Sequence, residues 1–330
     1  MPTLSIAEAE ALIIRTLTRC RTDASNAKAV ARALVAAESD GLRGHGLSRV
    51  ASYAAQAKIG KVDGFAKSVI SWPRPGVAAV DACHGFAYPA IDMALAALPA
   101  AAQRNGIAAA AIRRSHHCGA AGHPVERLAE AGLVAMMFAN TPAAIAPWGG
   151  KQAVFGTNPI AFGCPLPGRA PIVVDLSLSK VARGNILSAQ QRGEAIPEGW
   201  ALDVAGQPTT DPAAALDGTM LPLGDAKGTA LALMVELLAA GLTGSNFAAD
   251  ASSFLDAKGS PPGTGQLLIA FDPSAFGGAG TIEHFGALAA AIEAQPGARL
   301  PGARRLAMRK AAETGGVSIG DALLAEIEAV

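Results

Sequence analysis

The 330-residue chain is poor in cysteine, in aromatic residues and in net charge. Its four cysteines form no CxxC pair, which predicts a reduced, cytoplasmic protein without a disulfide framework. Lys plus Arg and Asp plus Glu each number 27, so we expect neither nucleic acid nor an anionic membrane as a partner. No uncharged apolar stretch is long enough to span a bilayer, since the best candidate, 228–244, contains Glu236. The hydrophobic share of 51% instead predicts a well-packed globular protein with ample core for two domains.

Several common motifs are missing as well. The chain contains no G-x-G-x-x-G fingerprint, no P-loop and no G-x-S-x-G elbow. The Gly-Thr-Gly at 263–265 precedes a predicted strand, which is the wrong context for a dinucleotide-binding turn. If this protein binds a dinucleotide, it does so without the usual Rossmann turn. The histidines and the cysteine of segment 116–123 match no zinc spacing, so we predict no metal site.

The hydrophobic pattern predicts an α/β fold. Short apolar runs that suit buried strands alternate with helical stretches from about residue 75. The predicted strands are 77–81, 107–112, 133–138, 171–175 and 267–272, and the helices between them are 89–103, 124–131 and 230–242. Residues 1–60 and the tail are helical, and the first helix begins at a capping box that joins Ser5 and Glu8. We therefore expect a helical domain built from 1–72 plus 285–330, and an α/β domain at 73–284 that binds cofactor and substrate.

The segment Gly41–Arg49 combines glycines, an imidazole and a guanidinium just before a predicted helix. Glycine lets the backbone turn sharply and lets a ligand approach closely. His45 is a suitable proton donor near neutral pH, and Arg49 could hold a planar carboxylate through two parallel hydrogen bonds. A capping histidine and a solvent-facing arginine are the plain alternative, although the glycines make room for a ligand. The combination indicates a site that reduces a 2-oxo acid.

Four further segments place small or polar residues at predicted strand ends, in a turn and at a helix start. Their candidate binding residues are His117, Gly119, Ala120, Thr157, Asn158, Asp175, Leu176, Ser177 and Lys227. Loops between strand ends and helix starts present free N–H groups and often contact ligands. A cation at a helix start, such as Lys227, is favourable if an anion is also bound. Each of the last three segments has a plain alternative. These are an ordinary turn at Thr157–Asn158, a loop cap at Asp175–Ser177, and a Lys227 neutralised by Asp225.

Taken together, these segments resemble the malate/L-lactate dehydrogenase type 2 family, the sulfolactate dehydrogenase-like oxidoreductases. The resemblance covers nearly the whole chain and includes Pro197-Glu198-Gly199-Trp200 and Leu300-Pro301-Gly302. It implies a non-Rossmann NAD(P)-binding fold, with a mixed β-sheet flanked by helices, and a homodimer. It also implies hydride transfer between NAD(P)H and a small 2-oxo or 2-hydroxy acid of the malate, lactate or sulfolactate type. A related class reduces the cyclic imines Δ1-piperidine-2-carboxylate and Δ1-pyrroline-2-carboxylate, which is the alternative function.

The resemblance further implies roles for individual residues. His45 and His117 are the expected catalytic residues, with His45 as the proton donor. The expected substrate-binding residues are Arg49, Thr157 and Asn158, and Arg49 holds the substrate carboxylate. The residues expected to bind NAD or NADP are His117, Gly119, Ala120, Asp175, Leu176, Ser177, Lys227 and Arg304.

Two residues depart from the family pattern. Gly44 stands where members usually carry a serine that orients the imidazole, and Asn185 stands where the imine reductases carry an aspartate relay. Both differences count against the imine reaction, and they leave open a proton route through a water molecule or His117. Lys180 and Arg183 add positive charge nearby, which could suit a dianionic substrate or could simply be solvated.

Overall fold

The computed structural model describes residues 2–330. The strands are β1 (Thr3–Leu4), β2 (Val69–Arg74), β3 (Val77–Asp81), β4 (Ile107–Ser115), β5 (Val134–Ala139), β6 (Ile160–Leu166), β7 (Arg169–Leu176), β8 (Ala201–Leu202), β9 (Pro208–Thr209), β10 (Thr219–Met220), β11 (Thr264–Phe271) and β12 (Val317–Ser318). The helices are α1 (Ile6–Arg19), α2 (Ala24–Ser39), α3 (Val50–Ile59), α4 (Ala87–Asn105), α5 (Gly122–Glu130), α6 (Arg183–Arg192), α7 (Pro212–Asp217), α8 (Asp225–Glu236), α9 (Pro273–Gly277), α10 (Thr281–Glu293), α11 (Ala303–Gly315) and α12 (Asp321–Ala329). Two 3-10 turns, Arg43–His45 and Leu47–Arg49, precede α3, and a π-turn, Leu237–Gly241, extends α8.

A seven-stranded sheet forms the centre of the protein, in the order β2-β3-β4-β11-β5-β6-β7. Within this sheet β3 and β4 run parallel, and the other neighbouring pairs are antiparallel. Helices flank the sheet, so the predicted α/β class with a mixed sheet is confirmed. The predicted strand 77–81 coincides with β3, and the other four predicted strands overlap β4, β5, β7 and β11.

The hydrophobic pattern misses β2 and β6. β2 is an edge strand that contains Pro73 and is mostly exposed, so neither an alternation nor an apolar run marks it. β6 contains Gly163 and Pro165, which usually interrupt strands. Gly163 is needed in this strand because a Cβ there would lie 2.3 Å from the carbonyl oxygen of Val125 on α5. The missing side chain therefore allows α5 to pack closely on the sheet.

Two apolar cores hold the helices in place. The first lies between the sheet and α4 and α5, and includes the fully buried Leu98 and Ile112. The second lies among α1, α2, α3 and α12, and includes Leu17, Tyr53 and Ile327. β1 pairs with β12 in antiparallel fashion, which brings the tail back to the N-terminal helices.

The division into a domain of 1–72 plus 285–330 and a domain of 73–284 stays a prediction. The second core agrees with it in part, because α11 and α12 pack near the N-terminal helices. However, β2 of the central sheet crosses the boundary at 72. α10 crosses the boundary at 285 and packs on β6 through Ala289 and Leu166.

A cluster of charged side chains joins α2, α5 and α11. The carboxylate of Asp40, at the end of α2, is fully buried and accepts hydrogen bonds from Arg309 at 2.7 and 2.8 Å and from His123 at 2.8 Å. Glu126 accepts bonds from Arg305 and Arg309, each at 2.8 Å. Burial would raise the pKa of Asp40, but the hydrogen bonds and charges of His123 and Arg309 lower it to about 2. The cluster therefore depends on two ionised carboxylates inside the protein.

Replacing Arg309 by leucine leaves Asp40 and Glu126 with too little positive charge in the interior. Because removing one partner of a buried ion pair is costly, we expect the free energy of unfolding to fall by about 3 kcal/mol in urea denaturation. The pKa of Asp40 is lower in the folded state than its usual 3.8. Its stabilisation is therefore fully present above about pH 4 and is lost as the pH falls towards 2.

Arg192 provides the control, because it pairs with Glu194 at 2.7 Å on the surface and both side chains are more than half exposed. Arg192→Leu should leave the free energy of unfolding nearly unchanged, because water screens an exposed ion pair. Equal effects of the two substitutions would contradict the importance of the buried cluster.

Candidate active site

The predicted proton donor, His45, lies against His117. Their ring centroids are 5.3 Å apart and their planes differ by 18°, so the two imidazoles are stacked. The 3-10 turns on either side of Gly46 bring His45 to this position. A Cβ on Gly46 would lie 2.2 Å from a carboxylate oxygen of Glu38, and that same oxygen accepts the backbone N–H of Leu47 at 2.9 Å. Gly46, which was predicted to leave space for a ligand, therefore leaves space for the side chain and backbone of Glu38 on α2.

Arg49 completes a group of three side chains with the two histidines. Its Nε donates to the carbonyl oxygen of Gly44 at 2.6 Å, and its two terminal nitrogens make no hydrogen bond within residues 2–330. Its positive charge is the second-largest cause, after burial, of the lowered pKa of both His45 and His117. The structure thus brings the predicted carboxylate clamp and the predicted proton donor together.

No side chain of the described residues forms a hydrogen bond with the ring of His45. Its Nδ1 is buried and makes no hydrogen bond. Nothing lies within 4 Å of the Cβ position of Gly44, so the space where a serine side chain would begin is open. Burial, and then the charges of Arg49 and His123, lower the pKa of His45 to about 4. The ring is therefore neutral at pH 7.

His117 is held by a pair of tyrosines that the sequence analysis missed. Its Nδ1 lies 2.6 Å from the hydroxyl of Tyr53, which lies 3.2 Å from the hydroxyl of Tyr88. Burial raises the pKa of Tyr53 to about 12 and lowers the pKa of His117 well below its usual range, so all three groups are neutral. A Cβ on Gly119, whose φ is +70°, would lie 2.8 Å from the Tyr88 hydroxyl. The sequence did contain a signal for these residues, because they are the only two tyrosines of the chain.

The neighbouring His116 is buried in the core. Its Nε2 lies 3.0 Å from Oε1 of Gln56, and burial lowers its pKa to about 3. Phe254 packs against both His116 and His117, with centroid distances of 5.0 and 5.2 Å. The loop that carries Phe254 is fixed by the buried ammonium of Lys61, which donates to the carbonyl oxygens of Ser253, Asp256 and Lys258 at 2.6–3.0 Å.

Thr157 and Asn158 have different surroundings. Thr157 is partly exposed, and its backbone N–H and hydroxyl lie 2.9 and 3.2 Å from Oγ1 of Thr141. Its carbonyl oxygen accepts the hydroxyl of Ser177 at 3.5 Å, which joins two of the predicted segments. The side chain of Asn158 is fully buried and donates to Glu236 at 2.7 Å, so the structure does not bring it to an open surface. The substrate-binding roles of both residues stay predictions.

The loop after β4 meets the end of β7. The backbone N–H of Gly122 donates to the carboxylate of Asp175 at 2.8 Å. Surrounding protein raises the pKa of Asp175, and the Gly122 bond opposes this effect. Asp175 and Leu176 are nevertheless exposed to solvent, whereas Ala120 is buried. The carboxylate of Asp175 is surrounded by protein atoms but remains accessible to solvent. Such a carboxylate suits a cleft that binds hydroxyl groups.

Lys227 and Arg304 lie on exposed helix starts, on α8 and α11. Arg304 lines a cavity of about 350 Å³ together with Arg299 and Asp40. The side chains of Arg299 and Arg304 make no ion pair or hydrogen bond with any other described residue, which is also true of Lys227. Unpaired guanidinium groups at a cavity suit a phosphate-bearing ligand, so the residues present fit the phosphate end of a dinucleotide.

No three His, Cys, Asp or Glu side chains within the described part of the chain are arranged to hold a metal ion. No helix between residues 2 and 330 combines the length and the hydrophobicity that crossing a membrane requires.

Comparison with known proteins gives full-length matches. A family model described as malate/L-lactate dehydrogenase matches residues 4–328. The chain is 53% identical to (2R)-3-sulfolactate dehydrogenase (NADP(+)) of Chromohalobacter salexigens, over 93% of this chain and 92% of that one. It is 41% identical to a Δ1-pyrroline-2-carboxylate/Δ1-piperideine-2-carboxylate reductase of Pseudomonas aeruginosa, over 99% and 98% of the two chains. The crystal structure of Δ1-piperideine-2-carboxylate reductase from Pseudomonas syringae superposes with a TM-score of 0.93 at 38% identity, covering 100% of this chain and 99% of that one.

Substituting Tyr53 by phenylalanine removes the hydroxyl that contacts His117 but keeps the ring in the core. We expect the free energy of unfolding to fall by about 1–3 kcal/mol, because Nδ1 of His117 is left buried without a partner. We also expect the ¹⁵N shifts of the His117 ring to change. Tyr88→Phe is the matched control, since the Tyr88 hydroxyl contacts Tyr53 and not His117. Unchanged His117 shifts in Tyr53→Phe would show that the hydroxyl does not set the state of the ring.

Proposed function

The chain belongs to the malate/L-lactate dehydrogenase family, and from that premise we propose how its residues act on a small 2-oxo or 2-hydroxy acid. It is an NAD(P)-linked oxidoreductase of small acids, as its sequence predicted. The observation that carries the proposal is the convergence of His45, His117 and Arg49, two neutral imidazoles beside one cation with free donors.

Arg49 binds the substrate carboxylate in this proposal, because its terminal nitrogens are free and a guanidinium matches a carboxylate with two hydrogen bonds. When bound beside this group, a nicotinamide cofactor would supply or accept the hydride. His45 exchanges the proton with the substrate oxygen through its Nε2, and His117, fixed by Tyr53, holds the ring of His45 in place. The substrate carboxylate offsets the Arg49 charge that lowers the pKa of His45. Binding therefore raises the pKa of His45 towards the range that proton transfer needs.

We assign the phosphate-bearing end of NAD or NADP to the cavity lined by Arg299 and Arg304. Asp175 accepts hydrogen bonds from ribose hydroxyls, and the backbone of Gly119, Ala120, Leu176 and Ser177 lines the cleft. Lys227 contributes a positive charge at the N-terminal end of α8. The exposed positions of Asp175, Lys227 and Arg304 support these assignments.

The proposed substrate is a 2-oxo or 2-hydroxy acid, and sulfolactate is the leading candidate because the relative from Chromohalobacter salexigens is 53% identical. The exposed Lys180 and Arg183 could neutralise its second anionic group. Cyclic imine reduction is the alternative, because a Δ1-pyrroline-2-carboxylate reductase of Ancylobacter novellus is 41% identical. Two features favour the first candidate: Nδ1 of His45 has no partner among the described residues, and Asn185 stands where the family resemblance implies an aspartate relay for the imine reductases.

His45→Ala should lower kcat at least about 100-fold with every substrate, because the group that exchanges the proton is lost. The dissociation constant of NADPH, measured by fluorescence titration, should change less than about twofold, because His45 contacts no residue assigned to the phosphate end. A panel of pyruvate, oxaloacetate, sulfopyruvate and Δ1-piperidine-2-carboxylate, followed by absorbance of the reduced cofactor, separates the two candidate functions. If His45→Ala retained the wild-type turnover, the proton-exchange role assigned to His45 would be wrong.

We propose that the protein is a cytoplasmic homodimer. Its four cysteines are unpaired, and Cys20, Cys118 and Cys164 are buried, which suits a reducing compartment.

The outer side of α8 and its π-turn is an uncharged apolar surface, referred to below as the α8 face. Its members are Leu231, Leu233, Met234, Leu237 and Leu242, each at least 39% exposed. An uncharged apolar face of this kind can pair with the same face of a second copy.

Leu237→Lys tests the dimer, because it places a charge at a position that is 53% exposed on the α8 face. We expect light scattering to give the dimer mass for the wild type and the monomer mass for the variant, with little change in the far-UV circular dichroism spectrum. Val204→Lys is the control, since Val204 is 72% exposed on a turn outside this face. A variant that remains dimeric would place the interface elsewhere.

A further inference from the structure

Glu236 is a buried carboxylate that the proposed mechanism does not use. The residue is 4% exposed, at the junction of α8 and the π-turn. Its Oε2 accepts a hydrogen bond from Nδ2 of Asn158 at 2.7 Å, and its Oε1 accepts bonds from the backbone N–H of Ala248 at 2.7 Å and from Nδ2 of Asn140 at 3.2 Å. No cationic side chain of the described residues pairs with it. An ionisable group held in the interior by neutral donors alone is costly, so its presence calls for a structural reason.

The three donors belong to three different segments. Asn140 follows β5, Asn158 precedes β6, and Ala248 lies beyond the π-turn. Asn140 also reaches β11, because its Oδ1 accepts the backbone N–H of Gly265 at 2.8 Å. Glu236 therefore fixes α8 to the ends of three strands of the central sheet.

Asn158 connects Glu236 with Thr157, the predicted substrate contact. Its second amide hydrogen donates to the carbonyl oxygen of Ala232 at 3.0 Å, so both hydrogens are bonded to α8. Its φ of +40° is uncommon for a residue other than glycine and persists only where the surroundings hold it. Asn158 directly follows Thr157, so the same bonds set the direction of the Thr157 backbone.

The α8 face lies on the same helix, where Leu233 and Leu237 are exposed. One helix thus carries both the proposed partner surface and the contacts to the Thr157–Asn158 turn. We propose that Glu236 is a positioning residue for substrate binding, which holds the Thr157–Asn158 turn against α8 in the single orientation that binds the 2-oxo acid. The proposal rests on the proposed function and on the substrate-binding role that the sequence analysis predicts for Thr157.

Glu236→Gln tests the proposal, because glutamine keeps the size but presents an N–H donor where the protein supplies only donors. We expect KM for the 2-oxo acid to rise about tenfold, which corresponds to the loss of one well-placed buried hydrogen bond. We expect kcat to fall less than about threefold, and the dissociation constant of NADPH to stay within about twofold, because neither His45 nor the Arg304 cavity contacts Glu236.

Thr243→Val is the matched control. Thr243 lies just after the π-turn, and its hydroxyl donates to the carbonyl oxygen of Ala239 at 2.6 Å without contacting the Thr157–Asn158 turn. The control should lower the melting temperature and leave KM unchanged. All kinetic measurements are made well below the melting temperature of either variant.

A Glu236→Gln enzyme that is destabilised like Thr243→Val but keeps the wild-type KM would overturn the proposal and make Glu236 a stabilising residue only. An equal weakening of NADPH binding would also overturn it, since the effect would then not be confined to the substrate. A wild-type enzyme without turnover on the panel would instead contradict the proposed function. In that case calorimetry of pyruvate binding to the wild type and Glu236→Gln, with NADP⁺ present, still decides whether Glu236 matters for binding an oxo acid.

Discussion

The stacking of two imidazoles beside the charge of Arg49 sets the conditions for the rest of the site. Two rings 5.3 Å apart, largely removed from water and close to a guanidinium, are stable together only when both are neutral. Burial and the Arg49 charge act in the same direction on both pKa values. A site of this kind is prepared for an anion, because the arriving carboxylate removes one of the effects that keep the rings uncharged.

The surroundings of the rings follow from that constraint. A neutral His117 needs a neutral partner, and Tyr53 supplies one through a hydroxyl whose pKa is about 12. His45 has no such partner, so its proton exchange depends on the substrate itself or on solvent. Phe254 closes the other side of His117, and the ammonium of Lys61 fixes the loop on which Phe254 lies. The groups that hold His117 in place from this side are therefore neutral, and the charge of Lys61 acts only on the loop behind Phe254.

Much of the fold was visible in the chain because the signals were local. The capping box between Ser5 and Glu8 is present at the start of α1, and the uninterrupted apolar run 77–81 coincides with β3. β2 and β6 were not visible, since an exposed edge strand and a strand interrupted by Gly163 and Pro165 lack a local pattern. The sequence also indicated that His45 and Arg49 lie near each other, because four residues separate them along one short segment.

The sequence by itself determined the residue types, the helix starts, most strands of the sheet and the family, because each depends on neighbours along the chain. Only the tertiary structure decided that Tyr53 and Tyr88, 35 positions apart, form one hydrogen-bonded pair behind His117. It alone buried Asn158 against Glu236, 78 positions away, where the sequence suggested an open substrate contact. These contacts are set by the packing of separate segments, and the free energy of such packing has no counterpart in the local order of residues.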